Sequence, residues 1–248
     1  VFTETKGALP DSSLAYETAI FNAVTEAEVT TLLWQKYYYQ KNAADFIGAK
    51  QTLNRLLDYQ PDNFNIYYEK ALMHYILSEF TDFKLELNKM QHSDSLHNYT
   101  LAMTVLYYLQ ELEIAKAKLT FKKLAENNNI NINIDSVFKP IMHYADKSEK
   151  KAIMLSSFLP GTGQWYAGSF THGAINASLI LSLLGWGTYN VINTYHATGL
   201  FTGYFIAYTF YKGGLSYAQK LVLKHNTTIR VKARNSILPA LQKVTLIR

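Results

Sequence analysis

The sequence predicts an all-α protein: a solenoid of helical pairs, then a transmembrane helical hairpin with a preceding short interfacial or re-entrant segment. Three observations predict it. Apolar residues of the first half recur at intervals of three and four, as on one-sided helices. The pattern returns every 34 residues, the mark of a repeat array. Residues 153–211, 59 in all, contain no Asp, Glu, Lys or Arg.

Residues 1–29 form an N-terminal extension with a capping helix over about 12–24. Residues 30–146 form the repeat domain. Its helix pairs are expected over about 28–41 and 43–58, 64–78 and 81–91, and 95–109 and 111–127, with Pro61 breaking the chain between the first two pairs. Asn127-Asn128-Asn129 ends the array, and Asp135 caps a last helix reaching about Asp146. The register is carried by Lys50, Lys84 and Lys118, by Leu53, Leu87 and Phe121, and by Leu56, Met90 and Leu124. Upstream, Tyr38, Leu72 and Leu106 share it.

A helix–turn–helix unit of this length resembles the tetratricopeptide repeat, over about 30–131. Ala49, Ala71 and Ala117 stand where that family needs a small residue, and Tyr108 and Phe121 also fit. Tyr37, Met90 and Leu124 depart from it. The resemblance implies a tetratricopeptide-like solenoid whose first helices line a concave groove for peptides or partner proteins. Tyrosines crowd those helices, about half of them expected in the core and half on the groove. Tyr38, Tyr68 and Tyr107 are the candidate groove residues.

Charge divides the chain. Residues 1–150 hold all 19 acids and 15 basic residues, a net of −4, whereas 151–248 hold nine basic residues and no acid, a net of +9. A charge at the bilayer centre costs roughly 2.5–3.5 kcal/mol, which accounts for the charge-free run. The membrane module is expected over 152–217, with crossings at Ala174–Thr194 and Thr198–Tyr211 and a short connection at His196–Gly199. Gly185, Gly187, Gly199 and Gly203 would let the crossings approach closely. Trp186 suits the bundle, and Trp165, Tyr166 and Tyr195 suit the interfaces.

Before the crossings comes SSFLPGTGQWYAG, residues 156–168. Pro160 removes a backbone donor, and Gly161 and Gly163 disfavour a continuing helix. Freed backbone groups must be sheltered or lie at the water boundary, and Gln164 can satisfy them. Residues 152–160 therefore read as a short amphipathic or re-entrant helix. Pro160, Gly161, Gly163, Gln164, Tyr166 and Gly168 resemble a Pro-Gly-x-Gly-Gln-x-Tyr-x-Gly motif of small helical membrane modules in bacterial envelope proteins. The likeness covers about 153–226, including Tyr211-Lys212-Gly213, Ala218 and Asn226. It implies an integral envelope protein and no defined chemistry.

Catalytic patterns are weak. Cysteine is absent, which excludes thiol chemistry and disulfides. Gly161-Thr162-Gly163 lacks the Lys-Ser/Thr of a phosphate loop, and neither Gly-x-Ser-x-Gly nor His-Glu-x-x-His occurs. His92, Asp94 and His97 are a conceivable metal set, but hinges between repeats are polar anyway. No catalytic, cofactor or metal residue is assigned, an enzyme is not expected, and neither is nucleic acid. The basic tail, 218–248, offers Lys220, Lys224, Arg230, Lys232 and Arg234 to anionic lipid or an acidic protein surface. Ile237-Leu238 and Leu241, around Pro239, add an apolar contact or a short strand.

The expected function is a membrane-anchored protein-interaction adaptor or accessory subunit of a bacterial envelope assembly, in secretion or membrane-protein biogenesis. It binds protein through the repeats and the bilayer through 152–217. A small transport or channel component is the alternative, and a histidine-dependent enzyme a third reading. For topology, positive-inside charge favours a cytoplasmic repeat domain. The opening on Val1 favours removal of a leader and hence a periplasmic one, the expectation adopted at this level.

Overall fold

Helix starts are written into the chain as side-chain caps. The structure, a computed structural model, describes residues 12–90 and 97–245. Ser12 Oγ accepts Ala15 N–H at the head of α1 (Ser13–Asn22), and Thr25 Oγ1 accepts Glu28 N–H at the head of α2 (Glu26–Asn42). Glu28 reaches back to Val24 N–H, in the manner of a capping box. Asp45 caps α3 (Phe46–Tyr59) through Gly48 N–H, and Asn63 caps α4 (Phe64–Ile76) through Asn65 N–H. Then follow α5 (Phe80–Met90), α6 (His97–Gln110) and α7 (Ile114–Asn127). All described elements are helical, so the all-α expectation holds among the described residues.

The 34-residue period extends from sequence into geometry. Tyr37, Ala71 and Val105 are buried, as are Ala49, Phe83 and Ala117, then Leu53, Leu87 and Phe121, then Leu56, Met90 and Leu124. Each trio is spaced by 34. The turn inside each helix pair contains one left-handed residue, at Ala44, Ser78 and Leu112, again 34 apart. At the first two turns the next N–H reaches back five residues, Asp45 to Gln40 O and Glu79 to His74 O, both at 2.9 Å. Buried polar groups repeat as well. Lys36 pairs with Glu17 and Lys70 with Glu86, while Gln40 bonds Asp45 and His74 bonds Glu79. A buried ammonium without such a partner would cost several kcal/mol.

Contacts divide the chain into two units. The first comprises 1–108, 115–134 and 240–248; the second comprises 109–114 and 135–239. In the first, α1 packs on α2, α2 on α3, α3 on α4 and α4 on α5. Met103 of α6 joins Ala71, Phe83, Leu87 and Met90, and Asn98 bonds Asn127 at the end of α7 and Asn128 just after it.

The second unit contains α8 (Ile134–Phe138), which closes in a 3-10 turn at Lys139–Ile141. The helix expected to reach Asp146 is thus cut short, because Pro140 sits in the turn and cannot continue the ladder. Asp135 lies in the first turn of α8, not ahead of it. Next come α9 (Glu149–Phe158), capped by Ser148, then α10 (Thr162–Tyr166) and α11 (Phe170–Ile192). After a turn, α12 (His196–Thr198) runs through π-helical turns at Gly199–Phe205 into α13 (Ile206–Thr245).

The basic tail is corrected by this architecture. No strand forms at Ile237–Leu241; α13 passes straight through Pro239, and no break falls at the expected boundary of 217 and 218. Ala218, Val222, Asn226, Ile229, Ala233, Ile237, Leu241 and Val244 form one buried face at spacings of three and four. The last turn, from Ala240, belongs to the first unit, where Asn128 Nδ2 donates to Val244 O at 3.1 Å.

Candidate functional site

The first unit carries a cleft of about 520 Å³. Trp34 and Tyr38 of α2, Tyr68 and Glu69 of α4, and Tyr99 of α6 line it, with Asn63 and Asn65 at the head of α4. These are the first helices of the three pairs. Trp34 and Tyr38 stack with centroids 5.9 Å apart, and Tyr68 and Tyr99 meet edge-on at 5.6 Å. Glu69 Oε2 accepts the Tyr37 hydroxyl and, at 2.8 Å, the Lys41 ammonium. Burial, then the Glu69 carboxylate, pushes the Tyr37 phenol above its ordinary range. Burial, Glu69 and Tyr99 do the same to Tyr68. Both phenols therefore stay neutral donors.

Of the three candidate groove tyrosines, Tyr38 and Tyr68 line this cleft and Tyr107 does not. Tyr107 lies instead against Phe83 and beneath the Lys84 ammonium. Sequence reasoning missed Trp34, Glu69 and Tyr99. A signal existed, since Trp34 and Tyr68 share one register position, as do Asn65 and Tyr99.

In the second unit the Pro-Gly-Thr-Gly-Gln stretch is a packed joint. Gly161 has φ +93°, a left-handed conformation that glycine adopts without cost, and a side chain there would strike Gly173 O. A Cβ at Gly163 would meet Ala152 O and Ser156 Oγ. Gln164 is fully buried; it accepts from Ser156 Oγ at 3.1 Å and donates to Gly214 O at 2.9 Å. Ser156 Oγ in turn accepts Gly163 N–H at 2.9 Å. Gln164 thus bonds backbone on α13, and the loop's own Gly163 N–H is met by Ser156 Oγ instead of by Gln164. Tyr166 OH accepts Ser148 N–H, and the Lys147 and Lys151 ammoniums lie 5.7 and 5.3 Å from its ring. Gly168, at φ +93°, closes α10, and Pro160 precedes the joint.

Gly187 and Gly203 bring α11 against the π-helical turns, so that a Cβ on Gly203 would strike the Gly187 backbone. Gly199 packs on Gly187 O and Val191. Gly185, expected at the same crossing, faces open space. Around this pair the large apolar side chains point outward: Phe170, Ile175, Leu181, Trp186, Tyr189 and Ile192 on α11, and Phe201 and Phe205 opposite. Trp186, expected within the bundle, is among them. Among the described residues, α11 is the one helix long and apolar enough to cross a membrane. No family model, curated protein or solved structure matches this chain.

The candidate tail residues are separated by their surroundings. Lys220, Lys224 and Lys232 are exposed on α13. Arg230 is engaged by Asp146 and by Gln110 O, and Arg234 is half-buried beside Asn235. His92 and Asp94 lie outside the described residues, and His97 opens α6. His74, Glu79 and Asp82 bring ligand atoms within 4.8 Å of one another. There Lys50 Nζ lies 2.7 and 2.6 Å from the two Glu79 oxygens, so an ammonium already neutralises that carboxylate. The hydrogen bond from Lys50, against burial and with help from His74, holds Glu79 below the usual carboxylate range.

Proposed function

We propose that the protein is a membrane-anchored protein-interaction adaptor, a non-enzymatic accessory subunit of a bacterial envelope assembly. The observation that carries this reading is a contrast within one chain. An array of helical pairs opens an aromatic cleft on its first helices, while a glycine-packed helix pair turns its large apolar side chains outward. Exposed apolar surface of that extent is stable in lipid and a liability in water.

The 34-residue recurrence of buried positions, turns and buried polar pairs supports a tetratricopeptide-like solenoid over α2–α7. Two spans, α11 and the stretch from His196 to about Tyr217, form the proposed hairpin, at about 1.5 Å per residue each long enough for a core of roughly 30 Å. The joint at Gly161–Gln164 sets α9 and α10 beside it. Its glycines meet protein atoms instead of an aqueous path, which favours an anchor over a pore. Lys220, Lys224 and Lys232 supply the surface for anionic headgroups, at about 1 kcal/mol for each basic residue near the membrane.

The test is capture of the tagged full chain from native membranes after crosslinking, beside a variant with Tyr38→Ala and Tyr68→Ala. A companion protein retained by the native chain and lost from the folded variant is expected. Recovery of the chain in the alkaline-washed soluble fraction would reject the anchor, and identical companions on both chains would reject the cleft.

A further inference from the structure

We infer that the cleft on α2, α4 and α6 is a receptor for one cationic side chain, a lysine or arginine presented by an extended segment of the partner. The inference rests on the adaptor reading and adds the chemistry that the cleft selects.

Four aromatic side chains, Trp34, Tyr38, Tyr68 and Tyr99, converge with one carboxylate, Glu69. An aromatic ring presents negative charge on its face, and several rings around a small volume favour a cation that has shed part of its water. Trp34 and Tyr38 stack at 27°, Tyr37 packs against both, and the part of each ring left over lines the cleft. The edge-on contact of Tyr68 and Tyr99 leaves a face available there too.

The carboxylate is arranged for a further donor. Oε2 is committed to Tyr37 and Lys41. Oε1 has no hydrogen bond among the described residues, and no buried side-chain oxygen or nitrogen there lacks a partner. Oε1 is therefore open to solvent, and Glu69 lines the cleft. Lys41 does not line it, so its ammonium fixes the carboxylate without filling the volume. It also offsets the charge of Glu69. Selectivity must then come from the rings together with Oε1, not from a strong net field. The space, about 520 Å³, exceeds a single side chain, which leaves room for flanking backbone beside Asn65.

An anionic or purely apolar occupant fits less well. An anion would meet Glu69 and four aromatic rings with no cation among the lining residues. An apolar side chain would leave Oε1 stripped of water and unpaired, a desolvation cost that a cation avoids.

The experiment uses the full chain in lipid nanodiscs and saturation-transfer NMR with four probes. These are the acetylated amides of Gly-Lys-Gly, Gly-Arg-Gly, Gly-norleucine-Gly and Gly-Glu-Gly. Saturation of the lysine and arginine side-chain methylenes is expected, with competition by tetramethylammonium. The norleucine and glutamate probes should be about tenfold weaker or silent. Glu69→Gln preserves the shape and should bring lysine down to the level of norleucine. Tyr99→Leu, at a half-exposed ring, should weaken both cationic probes and leave the helical circular dichroism unchanged. Equal binding of norleucine and lysine would overturn the inference, as would stronger binding of glutamate or no binding of any probe. Self-association abolished by Glu69→Gln would reassign the occupant to a second copy of this chain and overturn it too. A native companion captured equally by wild type and Glu69→Gln rejects the cationic receptor and leaves the adaptor standing. Lysine binding with no companion in native membranes rejects the adaptor and leaves the receptor.

Discussion

At the scale of a residue, one methyl group separates the glycines of the second unit into two kinds. A Cβ on Gly203 would enter the backbone of Gly187, whereas a Cβ on Gly185 meets nothing within 4 Å. Gly203→Ala should therefore overpack the crossing and cost about 1–3 kcal/mol. Gly185→Ala should leave stability unchanged or raise it by up to about 1 kcal/mol, the helix preference of alanine over glycine. Titration of the full chain with a denaturing detergent, followed by circular dichroism, reads both; equal midpoints for the two variants would remove the glycine crossing. A second residue-scale prediction concerns pH. Lys50, against burial and aided by His74, keeps Glu79 below the ordinary carboxyl value of 4.5. At Glu17 burial works against ionisation, and Lys36 and Arg55 outweigh it. In an unfolded chain both carboxyls titrate near 4.5. Their contribution is thus fully present above that pH and is lost as pH falls below it through the folded values. The thermal midpoint of the helical array should drop below pH 4.5, and Glu79→Gln should shrink that drop. A midpoint with the same acid dependence in the variant would show that the Lys50–Glu79 pair contributes nothing.

At the scale of an element, the first half was legible because its signals agree. Apolar spacing, cap residues and period all point to the same helices, and α2, α4, α5 and α7 begin or end within a few residues of the positions read from sequence. The left-handed turn residues were not legible, since Ala44, Ser78 and Leu112 share no residue type. Backbone geometry fixes them, and helix packing enforces it. The candidate cleft was half legible: Tyr38 and Tyr68 stood out as tyrosines, but Glu69 looked like any solvated acid of an exposed helix face. The tail failed for a different reason. The buried face of α13 is interrupted by Ala218, Asn226 and Ala233, whose weak hydropathy blurs the periodicity, and Pro239 reads as a helix end. Burial of Ile237, Leu241 and Val244 overrides the local preference of proline. That predicts a gain from removing it. A proline inside a helix costs up to about 3 kcal/mol, through a missing N–H and a ring clash. Pro239 is exposed, so Pro239→Ala gives up little packing. The unfolding midpoint should rise; a fall would mean that the proline ring itself holds the end of α13.

At the scale of the whole molecule, charge and helix length bear on the orientation of the proposed anchor. A third crossing by 152–168 would let external repeats coexist with an internal tail. The helices there are too short: α9 has ten residues and α10 five, about 15 and 8 Å at 1.5 Å per residue, against a core of roughly 30 Å. They also lie at the far end of the second apolar stretch, where Tyr211 OH donates to Ser157 O at 3.2 Å and Gln164 to Gly214 O. Under the proposed hairpin, the chain before α11 and the chain after Tyr217 leave the bilayer on one side. That side carries Lys147, Lys150, Lys151, Lys220 and Lys224, and the connection at 193–197 carries no formal charge. Positive-inside bias then favours a cytoplasmic repeat domain, against the periplasmic expectation drawn from the first residue. The absence of cysteine makes the test clean, because any introduced thiol is the sole one. In intact bacterial cells, Ala197→Cys at the exposed turn should react with a membrane-impermeant maleimide. Lys220→Cys should react only after the membrane is opened, and protease added to spheroplasts should leave the repeats whole. The opposite labelling pattern, with digestion of the repeats from outside, would restore export and show that the lysines near α11 do not set its orientation.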